Sequence, residues 1–217
     1  MLVSSKIRLL TTTELVEEQR KGAVILDTRP AEQFAALHIR GAIQIGLLGR
    51  FASWAAMLLS ATQKLAIVAE SEQHADEAHN RLARVGLDGV IGYSLADERQ
   101  WRQEKIELAS ISILRCDTVR QRLERDPSVQ LVDVRSRAEW LSGHLPGAIS
   151  VPLLDLDSRI QLIDPSRSSL VYCYEGFRAA TAASILLREG SREISILIDG
   201  VEGWLALGLP LELPDPR

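Results

Sequence analysis

Short unbroken apolar runs, separated by stretches with helical spacing, set the pattern of this chain. In the second half, Ser110–Leu114 ("SISIL") predicts a short strand. Asp117–Arg125 then carries apolar residues at Val119 and Leu123, with Asp117 as a capping residue, and predicts a helix. Val129–Val134 and Ser168–Cys173 run apolar without alternation, as strands buried on both faces do. Ala138–Gly143 predicts a helical turn, and Ala179–Gly190 a helix closed by its glycine. Ile194–Ile198 predicts a strand, and Val201–Gly208 opens a last helix. This alternation implies an α/β fold with a parallel sheet and helices on both faces.

The pattern occurs twice. Val24–Ile45 and Gln130–Val151 align at a constant offset. Asp27 falls on Asp133, Arg29 on Arg135, Phe34 on Trp140 and His38 on His144; Gly41-Ala42-Ile43 falls on Gly147-Ala148-Ile149. The chain reads as a duplication, with domains at 1–106 and 107–217, each long enough for one core.

Composition narrows the function classes. The 217 residues are 46% hydrophobic and 25% charged, as in ordinary globular proteins. No apolar run is long enough to span a bilayer, and "MLVSSKIRLL" does not read as a secretory leader. The net charge of −4 argues against a nucleic-acid surface. The two cysteines make no disulfide framework, and with four scattered histidines they form no metal-ligand cluster. A reduced, cytoplasmic protein without metal or cofactor is expected.

Candidate chemistry lies in "YCYEGFRA", Tyr172–Ala179. In open parallel sheets, ligands bind beyond the carboxyl ends of the strands. Cys173 stands at such an end. Between it and the predicted helix from Ala179 lie Tyr174, Glu175, Gly176, Phe177 and Arg178. Gly176 permits a tight curl in which successive N–H groups form an anion-binding nest. That nest, the helix N-terminus and Arg178 would all stabilise a Cys173 thiolate. A free cysteine is otherwise often a small buried hydrophobe. Cys116, which aligns with the apolar Leu10 and has no glycine loop after it, fits that reading. For Cys173, the coincidence of strand end, glycine and arginine favours a nucleophile.

These residues together resemble the rhodanese family. "DVRSRAEWLSGHLPGAISVPL" is similar to its first signature, "CYEGFRA" to its active loop Cys-x-x-Gly-x-Arg, and "LIDGVEGW" to its closing Gly-Gly-x-x-x-Trp, with Asp199 in place of the first glycine. The resemblance implies two rhodanese-like domains and a sulfane sulfur carried as a Cys173 persulfide. The related phosphatases and arsenate reductases of this fold have a longer loop than the four residues between Cys173 and Arg178 here. The first half has no cysteine, and Glu70, Glu72, Asp76 and Glu77 occupy its corresponding stretch, whose strand ends at Ala69 or Glu70. It resembles an inactive module.

The implied activity is transfer of sulfur from thiosulfate or a thiol persulfide to a thiol or cyanide acceptor. The alternative is a sulfur carrier or protein-binding module served by a protein donor or acceptor. Tyr174–Arg178 and Arg137 are the expected substrate contacts, and Asp133 and Arg135 the support. His144 reads as structural, because its counterpart His38 persists without a nucleophile. Trp140 and Trp204 read as core. Glu175 in the loop, and Glu139 where longer sulfurtransferases tend to have a second arginine, disfavour a dianionic donor.

Overall fold

The structure is a computed structural model that describes residues 7–214. The stretch from Met1 to Lys6, read above for a leader, and the last three residues lie outside the described part. The chain divides between Ser110 and Ile111 into two compact units.

The first unit comprises α1 (Thr12–Arg20), β1 (Val24–Asp27), α2 (Ala31–Ala36), β2 (His38–Ile39), β3 (Ile43–Gln44), α3 (Phe51–Leu58), β4 (Leu65–Ala69), α4 (Glu72–Ala83), β5 (Val90–Leu95), α5 (Glu98–Gln103) and β6 (Leu108–Ala109). Its main sheet has the order β3-β1-β4-β5, all parallel. Every residue of β1 and β4 is buried, as unbroken apolar runs require. β6 pairs antiparallel with β2, His38 opposite Ala109. This return strand carries the first unit past residue 106.

The second unit comprises β7 (Ser112–Leu114), α6 (Cys116–Arg125), β8 (Gln130–Asp133), α7 (Arg137–Leu141), β9 (Ile149–Ser150), α8 (Leu156–Arg159), β10 (Ser169–Tyr172), α9 (Phe177–Arg188), β11 (Ile194–Leu197) and α10 (Gly200–Ala206). Its sheet order is β7-β11-β10-β8-β9, all parallel, so β10 is the central strand. β8, β10 and β11 are buried throughout. Each unit is thus a parallel sheet flanked by helices.

Three expectations need correction. Asp117 does not cap α6. The helix starts at Cys116, its N-cap residue Arg115 makes no side-chain cap, and the Asp199 carboxylate accepts the Cys116 N–H from across the sheet edge (3.4 Å). Helix α9 begins at Phe177, not Ala179, so Phe177 and Arg178 belong to its first turn. Trp140 is only half-buried and stacks on His144, whereas Trp204 does join the core.

Candidate active site

Cys173 follows the central strand at its carboxyl end and is 1% exposed. The chain then turns through Tyr174 and Glu175 to Gly176, the N-cap residue of α9, at φ +83°. A side chain at Gly176 would place its Cβ 2.5 Å from the Ile198 carbonyl oxygen, so both conformation and space select glycine. The loop is pinned from behind. Val201 N–H donates to the Cys173 carbonyl (3.0 Å) and Glu202 N–H to that of Tyr174 (3.2 Å). Gly200 permits this approach, since a Cβ there would lie 2.2 Å from the Tyr174 oxygen.

Among the described residues, none of the N–H groups from Tyr174 to Ala179 donates to a protein acceptor. Gly176 has no side chain with which to cap the helix, and Ala179 is fully buried. Buried N–H groups need a partner. The start of this 12-residue helix therefore offers its amides and its dipole to an anion beside Cys173.

The charges are arranged differently from the sequence expectation. Arg178 does not stand free. It grips Glu139 in a two-pronged pair, Nη1 to Oε2 and Nη2 to Oε1, both 2.7 Å. Glu139 also accepts from the Ser136 N–H (3.0 Å) and hydroxyl (2.7 Å) in a capping box at the start of α7. The Arg178 hydrogen bond is the main cause that lowers the Glu139 carboxyl to about 2, against the opposing effect of burial. Arg178 in turn is pushed up, first by Glu139 and then, beyond the cost of burial, by the neighbouring Cys173. Tyr174 and Phe177 are 41% and 61% exposed on the loop that follows Cys173. Glu175 and Arg137 are exposed, and Arg137 has no ion-pair partner among the described residues.

Asp133, which pairs with Tyr172 at the end of the neighbouring strand β8, and Arg135 are both buried. Asp133 accepts from the Arg135 N–H (2.9 Å), Nε (3.0 Å) and Nη2 (2.6 Å), and Nη2 also reaches the Gly143 carbonyl (2.7 Å). The pair ties the end of β8 to the end of α7 and does not reach the surface. Cys116 is a different cysteine from Cys173. Burial, with Asp199 and Asp117, pushes its thiol up to about 11, and its Sγ donates to the Gly200 carbonyl (3.4 Å).

Sequence reasoning missed two partnerships around the loop. One is Glu139 with Arg178. The other is Arg115 with Asp199, an ion pair at 2.8 Å that, together with the Cys116 N–H, fixes the residue preceding the loop-pinning amides. The departure of Asp199 from the glycine pattern was the available signal for the second.

Strand register places Ala69 at the position of Cys173. Asp133 pairs with Tyr172 and Asp27 with Val68, and the next residues are Cys173 and Ala69. From there the first unit reaches its N-cap, Ser71, one residue sooner than the second reaches Gly176. The Ser71 hydroxyl accepts the His74 N–H (3.1 Å), so a side chain already fills the cap that Gly176 leaves open. Gln33, at the position of Glu139, bonds Glu70 (2.8 Å). Among the described residues, no group of three or more His, Cys, Asp or Glu could hold a metal ion, and no helix is long and apolar enough to cross a membrane.

The rhodanese-like domain model matches residues 11–95 and again 116–207. A sulfurtransferase of Allochromatium vinosum is 31% identical over 99 residues, covering 46% of this chain and 92% of that protein. An HTH-type transcriptional regulator, Rv0324, of Mycobacterium tuberculosis is 32% identical over 102 residues; the match spans 46% of this chain and less than half, 44%, of the regulator. Among solved structures, the thiosulfate sulfurtransferase of Pseudomonas aeruginosa aligns over 98% of this chain and 44% of its own, with 22% identity and a TM-score of 0.44. With one match in each half, the chain belongs to the rhodanese-like domain family, as a tandem of two such domains.

Proposed function

We propose that the second domain is a sulfurtransferase that carries sulfane sulfur on Cys173, and that the first domain is catalytically silent. The observation that supports this most is the run of unpartnered amides, Tyr174 to Ala179, around a cysteine at the end of the central strand. In the first step the Cys173 thiolate attacks the outer sulfur of a donor. The donor's S–S bond breaks and its electron pair leaves with the departing group, as sulfite from thiosulfate or as R–S⁻ from an organic persulfide. The persulfide sulfur then lies where loop and helix amides accept negative charge. A thiol or cyanide attacks that outer sulfur, and the Cys173 thiolate leaves. The cycle is ping-pong and leaves the protein unchanged.

Tyr174, Glu175, Gly176, Phe177 and Arg137 border the donor in this reading, while Asp133 and Arg135 support the loop from below. Steady-state kinetics test it. Cys173→Ser should abolish turnover with every donor, whereas Cys116→Ser should retain it. Equal loss in both variants, with circular dichroism unchanged, would refute the assignment. Stoichiometric persulfide formation without turnover to any small acceptor would instead support a carrier module.

A further inference from the structure

The loop arginine is the obvious cation for an anionic donor, but its guanidinium is occupied. Both terminal nitrogens of Arg178 are spent on the two oxygens of Glu139, at 2.7 Å each. Both side chains are largely withdrawn from solvent, 20% and 34% exposed. A fork-to-fork pair of this kind is geometrically specific and hard to open. Glu139 is itself held by Ser136, so it cannot swing away without breaking the α7 cap. The pair has no net charge. The nearest side chain within the loop that keeps its charge is the exposed Glu175, and Arg137 is the only cation on the adjoining α7 turn. Apolar surface is present instead, from the exposed rings of Tyr174 and Phe177 on either side of the turn.

Resting on the Cys173 reading above, we infer that Glu139 determines donor specificity: by holding Arg178 it tunes the site for a weakly charged organic persulfide and against a dianion such as thiosulfate. The step for such a donor balances without a co-reactant. The Cys173 thiolate attacks the terminal sulfur of R–S–SH, a Cys173–sulfur bond forms, the donor's S–S bond breaks, and R–S⁻ leaves with its electron pair while the proton stays on the transferred sulfur. The amides accommodate the single charge, and the aromatic rings contact the R group. Glu139 acts here through Arg178, as a positioning residue, and does not itself touch the donor.

Glu139→Gln keeps a hydrogen-bonding side chain that a capping box accepts but removes the neutralising charge. Wild type, Glu139→Gln and the double variant Glu139→Gln/Arg178→Ala would be assayed with thiosulfate and with the persulfide of 2-mercaptoethanol, which has no carboxylate, at two ionic strengths. Wild type should prefer the organic persulfide. In Glu139→Gln, kcat/KM for thiosulfate should rise about fivefold to tenfold at low salt, mainly through KM, and the gain should shrink as salt screens the freed charge. The organic persulfide should change less than about twofold, because it carries at most one charge against the two of thiosulfate. The gain should vanish in the double variant, since it requires the released guanidinium. An unchanged donor ratio in Glu139→Gln, a wild-type preference for thiosulfate, or a gain that survives loss of Arg178 would each overturn the inference while leaving the sulfurtransferase reading intact. Failure of both donors to load Cys173, in wild type and variants alike, would overturn that reading itself.

Discussion

The two domains share buried pairs and stacks but not the loop after the central strand, and that contrast separates what holds the fold from what stands open around Cys173. Asp27–Arg29 repeats Asp133–Arg135 contact for contact: each aspartate accepts from the arginine backbone N–H, Nε and Nη2, and each Nη2 goes on to a carbonyl at the matching position, Leu37 or Gly143. Phe34 stacks on His38 at 3.8 Å as Trp140 stacks on His144 at 3.4 Å. Both histidines point Nδ1 at the aromatic residue's carbonyl, at 2.8 and 3.3 Å. In each domain the chain returns to pair with that histidine, at Ala109 and at Glu212. Features kept in the domain that has no cysteine belong to the scaffold. What the first domain lacks is Cys173, one residue of loop, the bare glycine cap and the arginine.

The largest effects on stability should fall equally on both domains. Asp27→Ala and Asp133→Ala each strand a buried guanidinium, and each should cost about 3–5 kcal/mol. Denaturant melts of the two variants measure this. A large loss for Asp133→Ala with none for Asp27→Ala would mean that the shared pair serves the site and not the fold.

The glycine cap should separate the domains. Gly176→Ala forces a Cβ against the Ile198 carbonyl at positive φ and should cost roughly 1–3 kcal/mol, with most sulfurtransferase activity lost. Ser71→Ala, at the same place in the first domain, should cost about 1 kcal/mol as an ordinary cap and leave turnover unchanged. Lost turnover in Ser71→Ala would break the contrast.

A smaller effect concerns acid. Glu139 is held down to about 2, so its contribution is present above the ordinary carboxylate range. It is lost as pH falls toward that value. Glu139→Gln should therefore flatten the fall in stability between about pH 4.5 and 2. Parallel acid-unfolding curves for wild type and variant would deny the pair this role.

Much of this was legible in the sequence because burial and repetition leave a mark. The unbroken runs at Val129–Val134 and Ser168–Cys173 gave the parallel sheet, and the constant offset gave the duplication. The Cys-x-x-Gly-x-Arg spacing placed the loop. It misplaced the start of α9, because Phe177 and Arg178 lie in the first helical turn, where residues still read like loop. It also left Arg178 free, because its partner Glu139 is distant in sequence and is brought to it only by the docking of α7 beside α9. The cap of α6 was misread for the same reason: Asp117 was local and plausible, while the acceptor is Asp199 on another loop. Single-residue alignment between Ala69 and Glu70 needed strand register, which composition does not carry.

If the chemistry resides in one loop of the second domain, sulfur from a donor loads Cys173 alone. Intact mass followed by peptide mapping tests it most directly, after brief exposure of the full chain to an organic persulfide and removal of excess donor. One added sulfur atom per chain is expected, on the peptide bearing Cys173, discharged by a small thiol and absent in Cys173→Ser. Sulfur on the Cys116 peptide, or an adduct that persists in Cys173→Ser, would contradict it.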